Sequence, residues 1–278
     1  MEGIKPVLID LSDYEAVGEG ANGISLNHRT DPHILLKLYN EGKFRQSYDE
    51  WVLSKRVYET GIPTPEPGDF VTDGKRFGLR LHRILGKKSF ARAIGDEPEK
   101  VGEYAREFAR MCLDLHSTRV DTSLFESVKS RYLRLLEENP FFSDGEKAKL
   151  AGFIEKVPDT ETAIHGDLQF GNAIFAGGRR YFIDLGDFCY GHPYFDIGMV
   201  YLCCKLNSDD WTREVFHMEP ETALAFWDEF VPAYFGPART KEDVEREIRP
   251  FAGLKTLIVE RDTKRPMPEF RIALKDIL

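Results

Sequence analysis

The chain has 278 residues, enough for a large core in one or two domains, and its 42% hydrophobic and 31% charged fractions are those of an ordinary folded protein. A formal net charge of −9 argues against a nucleic-acid backbone as partner, which calls for a basic face, and only faintly favours a cationic ligand. Cys112, Cys189, Cys203 and Cys204 lack metal-ligand spacing and are too sparse for a disulfide framework. The opening MEGIKPVLIDLSDYE lacks a basic stretch followed by an apolar core, and no apolar run approaches the roughly 18 residues of a bilayer span. The expectation is a soluble, cytoplasmic protein without a membrane partner.

Near the amino terminus, VGEGANGIS places Gly18, Gly20 and Gly23 in the spacing G-x-G-x-x-G. A plain surface turn can carry that pattern, and so can two unrelated phosphate-binding devices. One is the strand-to-helix turn of a dinucleotide domain, and the other is a hairpin lid over nucleotide phosphates. The following residues decide between them. Asn27 to Pro32 is rich in turn formers, and HILLKLY is a short apolar run ending in an aromatic, so the glycines belong to a β-hairpin. Pro32 rules out a continuous helix there.

Tyr48, Trp51, Val52, Val57 and Tyr58 recur at helical spacing and stop at Gly61. IPTPEPGDF is then extended, and FVTDGKRFGLRLHRIL reads as a second hairpin around Asp73-Gly74. Residues 97–117 form an amphipathic helix on Val101, Tyr104, Phe108, Met111 and Leu115, and 123–138 and 143–156 are helical on either side of Pro140. AIF and YFIDL flank Gly177-Gly178 as a hairpin buried among helices, with Asp184 closing its second strand. Residues 193–205, 219–235 and 241–260 are again helical. The fold class is α+β with two lobes: a small antiparallel-sheet lobe over 1–85 and a larger, mainly helical lobe over 86–278.

HGDLQFGN puts Asp167 two residues after His165 and five before Asn172, and Asp184 follows twelve residues later. Moving a γ-phosphoryl group needs an oriented hydroxyl and neutralised phosphate oxygens. A carboxylate at Asp167 suits the hydroxyl, while Asn172 and Asp184 supply hard oxygens for Mg²⁺. Asp187 is open between a second metal and a salt bridge.

His-x-Asp-x4-Asn followed by a strand-terminal Asp resembles the protein-kinase-like superfamily. HGDLQFGN with FIDLGD is most similar to its aminoglycoside phosphotransferase and choline kinase branch. The resemblance spans nearly the whole chain. It implies a two-lobed kinase-like fold, ATP as phosphoryl donor with GTP as an alternative, and Mg²⁺. It makes Gly18, Gly20 and Gly23 the phosphate lid, Lys37 the strand lysine that holds phosphates, and Glu50 its helix partner, with Asp49 as the rival. His82 to Leu85 become the hinge that offers backbone groups to the purine, His82 and Ile84 foremost. Asp167 becomes the catalytic carboxylate, Asn172 and Asp184 the metal ligands, and His165 and Asp196 braces of the loop. Asn22 and Ser25 stand where such lids typically carry an aromatic and a valine, so the grip of the lid is open.

Twelve positions from Asp184 to Asp196 leave no room for a long peptide-docking segment, and Gly166 replaces the arginine that reads a phosphorylated loop. The expected acceptor is therefore a small hydroxylated molecule, with an atypical protein kinase and a catalytically silent nucleotide-binding scaffold as rivals. Asp209, Asp210, Glu219, Glu221, Asp228, Glu229, Trp211 and Trp227 would suit a cationic acceptor, but they read more simply as a solvated face and a core face. The expected state is a monomer or weak dimer.

Overall fold

The computed structural model describes residues 5–20 and 22–278. Ala21 in the glycine-rich stretch and the first four residues of the opening segment lie outside them. The strands are β1 (Val7–Leu8), β2 (Tyr14–Gly20), β3 (Gly23–His28), β4 (Ile34–Tyr39), β5 (Pro67–Thr72), β6 (Phe77–His82), β7 (Lys88–Ser89), β8 (Ala163–Ile164), β9 (Ala173–Ala176), β10 (Arg179–Phe182) and β11 (Cys189–Tyr190). The α-helices begin with α1 (Phe44–Glu59), α2 (Phe90–Asp96), α3 (Val101–Ser117), α4 (Val128–Glu138) and α5 (Asp144–Lys156). They continue with α6 (Tyr194–Tyr201), α7 (Asp209–Phe216), α8 (Pro220–Phe235), α9 (Lys241–Leu254), α10 (Thr256–Thr263) and α11 (Pro268–Arg271). Two units partition these elements: 1–87 with 174–186, and 88–173 with 187–278.

In the first unit, β1 to β6 form one sheet in the order β1-β5-β6-β4-β3-β2, antiparallel except for the parallel β1–β5 pair. Alternation along each strand sends successive side chains to opposite faces. Tyr14, Leu26, Leu36, Leu38 and Val71 therefore gather on one face. Tyr39, Phe70 and Leu79 gather on the other, where Trp51 of α1 joins them. Lys37, between Leu36 and Leu38, falls on the α1 face. Helix α1 stops at Gly61, whose φ of +83° a side chain would resist.

The β9–β10 hairpin turns through Gly177 and Gly178, with φ of +55° and +77°. Sequence alone places it in the helical lobe, whereas the structure groups residues 174–186 with the sheet unit. One reason is the Phe182 N–H, which donates to the Pro63 carbonyl at 2.8 Å. The second strand also stops at Phe182, short of Asp184, which adopts a left-handed φ of +60°.

The second unit is built around aromatic packing between α3 and α8. Phe108 meets Phe170, Phe226 and Phe230 with ring centroids 5.7, 5.7 and 6.3 Å apart. Two expected helices differ in detail. The 193–205 helix is α6 followed by a π-helical turn, Leu202–Leu206, and the 241–260 helix is broken at Lys255 into α9 and α10. All four cysteines are reduced and buried, and burial pushes the Cys189 thiol up to about 12. Among the described residues no helix is long and apolar enough to cross a membrane.

Candidate active site

Gly18, Gly20 and Gly23 are not equivalent. A Cβ on Gly23 would lie 2.1 Å from the Leu38 carbonyl oxygen, because β3 passes tightly over β4 there. On Gly18 or Gly20 it would meet nothing nearer than 4.0 Å. Gly23 is therefore required by the sheet, while nothing steric requires glycine at Gly18 or Gly20. Beside them, Asn22 Oδ1 accepts from the Lys43 ammonium at 2.6 Å. Ser25 stands opposite Lys37 in the β3–β4 register.

Lys37 reaches Glu50 Oε1 at 2.7 Å and Oε2 at 3.0 Å, and Asp184 Oδ1 at 2.8 Å. Asp49, the rival partner, instead pairs with Arg45 one turn earlier, at 2.7 Å. The register of α1 turns Glu50 inward, to 7% exposure, and leaves Asp49 outside. Burial works against the Lys37 ammonium, but Glu50 and Asp184 together hold its pKa above the ordinary lysine value. A permanently charged donor is thus held between two carboxylates.

At the end of β6 the His82 N–H donates to the Glu66 carbonyl at 2.8 Å and the Arg83 N–H to His33 at 2.7 Å. The sheet ladder thus consumes the His82 donor. Ile84 lies past the end of the strand.

In the second unit, HGDLQFGN forms the loop between β8 and β9. Leu168 and Phe170 are fully buried, Phe170 against Phe216 and Phe226 at 5.1 and 4.7 Å, so alternate residues pin the loop to the core. Asn172 donates through Nδ2 to Asp167 Oδ2 at 2.8 Å and to the Asp167 carbonyl at 2.9 Å. Its amide is thereby oriented, nitrogen toward Asp167 and oxygen the other way. Gly166 has φ of +85°, and a Cβ there would sit 2.0 Å from the Asp187 carbonyl oxygen. Neither arginine nor any other side chain fits between His165 and Asp167 in this backbone. Asp187 lies 3.8 Å from the Arg131 guanidinium, which also donates to the Asp187 and Phe188 carbonyls.

Asp196 is wholly buried and accepts the N–H groups of His165 at 2.7 Å and Gly166 at 2.8 Å. His116 Nε2 lies 3.1 Å from the same carboxylate and its Nδ1 2.7 Å from Tyr234 Oη. Burial would raise the Asp196 pKa, but the His116 hydrogen bond and the charges of His116, His165 and Lys255 hold it below the usual carboxylate value.

A family model, that of the phosphotransferase enzyme family, matches residues 17–242. The chain belongs to the phosphotransferase enzyme family. A thermostable variant of aminoglycoside phosphotransferase APH(4)-Ia, solved with AMP-PNP and hygromycin B, superposes with a TM-score of 0.65 at 13% identity, covering 95% of this chain and 94% of that one. Amicoumacin kinase hAmiN, solved with AMP-PNP, Ca²⁺ and Ami, gives 0.59 at 15% identity over 97% and 88%. A choline/ethanolamine kinase family protein from Mesorhizobium loti gives 0.52 at 15% identity over 95% and 84%. At these identities the likeness is one of fold, the protein-kinase-like fold. No curated protein sequence matches significantly.

Within this phosphotransferase the residues proposed for a cationic acceptor divide. Trp227 is fully buried and donates to Glu245 at 2.9 Å, so it serves the core; Trp211 remains partly exposed. Asp228 pairs with Lys241, Glu229 with Arg106 and Glu219 with Arg213. Sequence reasoning missed Lys255, which contacts the loop, His116, which contacts its brace, Tyr234, which contacts His116, and Arg131, which holds the Asp187 and Phe188 carbonyls. No local motif marks them.

Proposed function

We propose that this phosphotransferase moves the γ-phosphoryl group of ATP to a hydroxyl of a small molecule. The observation that carries the reading is the Lys37 ammonium held at 2.7–3.0 Å between Glu50 and Asp184, a fixed cation of the kind that neutralises nucleotide phosphates. The Asp167 carboxylate, oriented by Asn172, accepts the hydrogen bond of the attacking hydroxyl and takes its proton late in the transfer. The lid glycines bring backbone N–H groups toward the phosphates, and Ile84, outside the β6 ladder, offers backbone groups to the purine. The occupied His82 N–H turns that role toward Ile84.

A divalent cation fits the donors present. Among the described residues no cluster of three or more His, Cys, Asp or Glu is placed to hold an ion unaided. Mg²⁺ takes one or two protein oxygens and fills its octahedron with phosphates and water. On the sequence motif, Asp184, half exposed, and Asn172 are the residues that would hold it. When bound, it neutralises charge on the phosphate oxygens.

The test is a γ-phosphate transfer screen with ATP and, separately, GTP, each with Mg²⁺. Acceptors would cover aminoglycosides, choline, amino alcohols, sugars and ketosamines, with a protein substrate set beside them. A labelled small molecule is the expected product. Transfer to proteins alone would favour the protein-kinase rival. A thermal midpoint unmoved by millimolar Mg-nucleotide would defeat the enzymatic reading.

A further inference from the structure

Lys255 sits at the break between α9 and α10 and is only 3% exposed. Its Nζ donates to the Gly166 carbonyl at 2.8 Å and lies 5.8 Å from the Tyr132 ring centroid. A buried ammonium is costly unless it is paired, and its nearest hydrogen-bond acceptor here is a main-chain oxygen in the loop. Burial works against this charge, while Tyr132, Asp196 and Asp167 hold its pKa above the ordinary lysine value.

The placement is specific. The Gly166 carbonyl belongs to the peptide that joins Gly166 to Asp167, and the Gly166 N–H belongs to the preceding one. Asp196 takes that N–H at 2.8 Å and Lys255 donates to the carbonyl, so an anion on α6 and a cation at the α9–α10 break grip both sides of one residue. Gly166, at φ +85°, is also the residue most able to relax to another backbone conformation if released. Its rotation would swing the Asp167 side chain, which is otherwise tied locally through Asn172 and through the Asp167 N–H to His165 Nδ1 at 3.3 Å.

We propose that Lys255 is a positioning residue for phosphoryl transfer: its ammonium locks the Gly166–Asp167 peptide and thereby aims the Asp167 carboxylate. The role rests on the phosphotransfer reading above, and its test separates the two. The probes are Mg-ATP turnover, with water as acceptor, and hydrogen exchange of the amides of 163–172 in nucleotide-free protein. Lys255→Met removes donor and charge at similar volume, and Lys255→Arg restores both.

Losing a charged hydrogen bond to a buried carbonyl should lower kcat by about tenfold to a hundredfold in the Met variant while KM for ATP stays within about twofold. Exchange at His165, Gly166 and Asp167 should quicken by a similar factor without change in α8, and Lys255→Arg should recover part of both. Unaltered kcat and loop exchange in the Met variant would overturn the proposal. So would a uniform loss of protection over the whole helical unit, which marks a stability role alone. If the Met variant does not fold, the wild type decides, because loop amides that exchange faster than the unit opens would show that no lock exists. A wild type that neither hydrolyses ATP nor gains thermal stability from Mg-nucleotide would defeat the functional reading, and the exchange arm would still judge Lys255.

Discussion

Glu50 Oε1 lies 2.7 Å from the Lys37 ammonium, and its neighbour Asp49 points elsewhere, to Arg45. Two adjacent acids are thus divided by one helical step of about 100°. Glu50→Gln should lower kcat/KM by about tenfold to a hundredfold, mainly through KM for the nucleotide, since Lys37 keeps Asp184 but loses its buried partner. Asp49→Asn, which breaks an exposed i, i+4 pair, should stay within about twofold. Steady-state kinetics of both variants separate the assignments, and equal effects would contradict the geometry.

Asp167 and Asp184 are assigned to different tasks. Asp167→Asn should cut turnover by about 10²–10⁴ with nucleotide affinity nearly intact, the range for loss of a positioned base. Asp184→Ala should weaken Mg-nucleotide binding itself. Calorimetric titration of Mg-AMP-PNP into each variant checks this, and a parallel loss of binding in both would refute the division.

Asp196 and its partner His116 are 0% and 7% exposed, so the charge has little solvent to fall back on. Asp196→Asn should cost about 3–5 kcal/mol, the range for breaking a buried pair, seen as a large drop in the midpoint of the helical unit. The sign with pH follows from its depressed pKa. Its stabilisation is complete above the unfolded-state value of about 3.9 and is lost as pH falls through the lower folded value. Melts followed by circular dichroism should show that acid limb in the wild type and a weaker one in Asp196→Asn.

The glycines make a steric prediction. Gly23→Ala and Gly166→Ala place a Cβ 2.1 and 2.0 Å from backbone oxygens, and neither oxygen belongs to a flexible side chain. Both should destabilise the fold by roughly 1–3 kcal/mol or more, with Gly166→Ala also losing activity. Gly18→Ala meets only Ser25 Cβ at 4.0 Å and should fold normally. Any activity lost by Gly18→Ala then reports on phosphate approach and not on packing. A melting midpoint lowered equally in all three would contradict the distinction.

Much of this was legible in the chain because the informative residues sit in short runs. The spacing of HGDLQFGN, the turn formers after Gly23 and the lysine inside HILLKLY are local patterns, and local patterns survive without coordinates. The helical stretches 97–117 and 143–156 were read close to their observed bounds for the same reason, since a 3.6-residue period repeats within each one. Legibility failed where one residue decides an outcome. Asp49 against Glu50 turns on the register of α1, and the helix expected over 241–260 hides a break at Lys255 that periodicity averages away.

Sequence by itself determined the class of machine: a glycine hairpin, a strand lysine and two acidic motifs in one order, each set by residues within a few positions of each other. Only the tertiary structure decided what holds those motifs in place. Lys255 meets the loop and His116 meets its brace across separations of 89 and 80 residues, and Tyr234 meets His116 across 118. The Phe182–Pro63 hydrogen bond likewise joins the Asp184 hairpin to the sheet unit. The physical reason is that a buried charge or backbone carbonyl demands a partner but does not specify where in the chain it must come from. The partner is chosen by which helices pack together, and that choice is a property of the whole core.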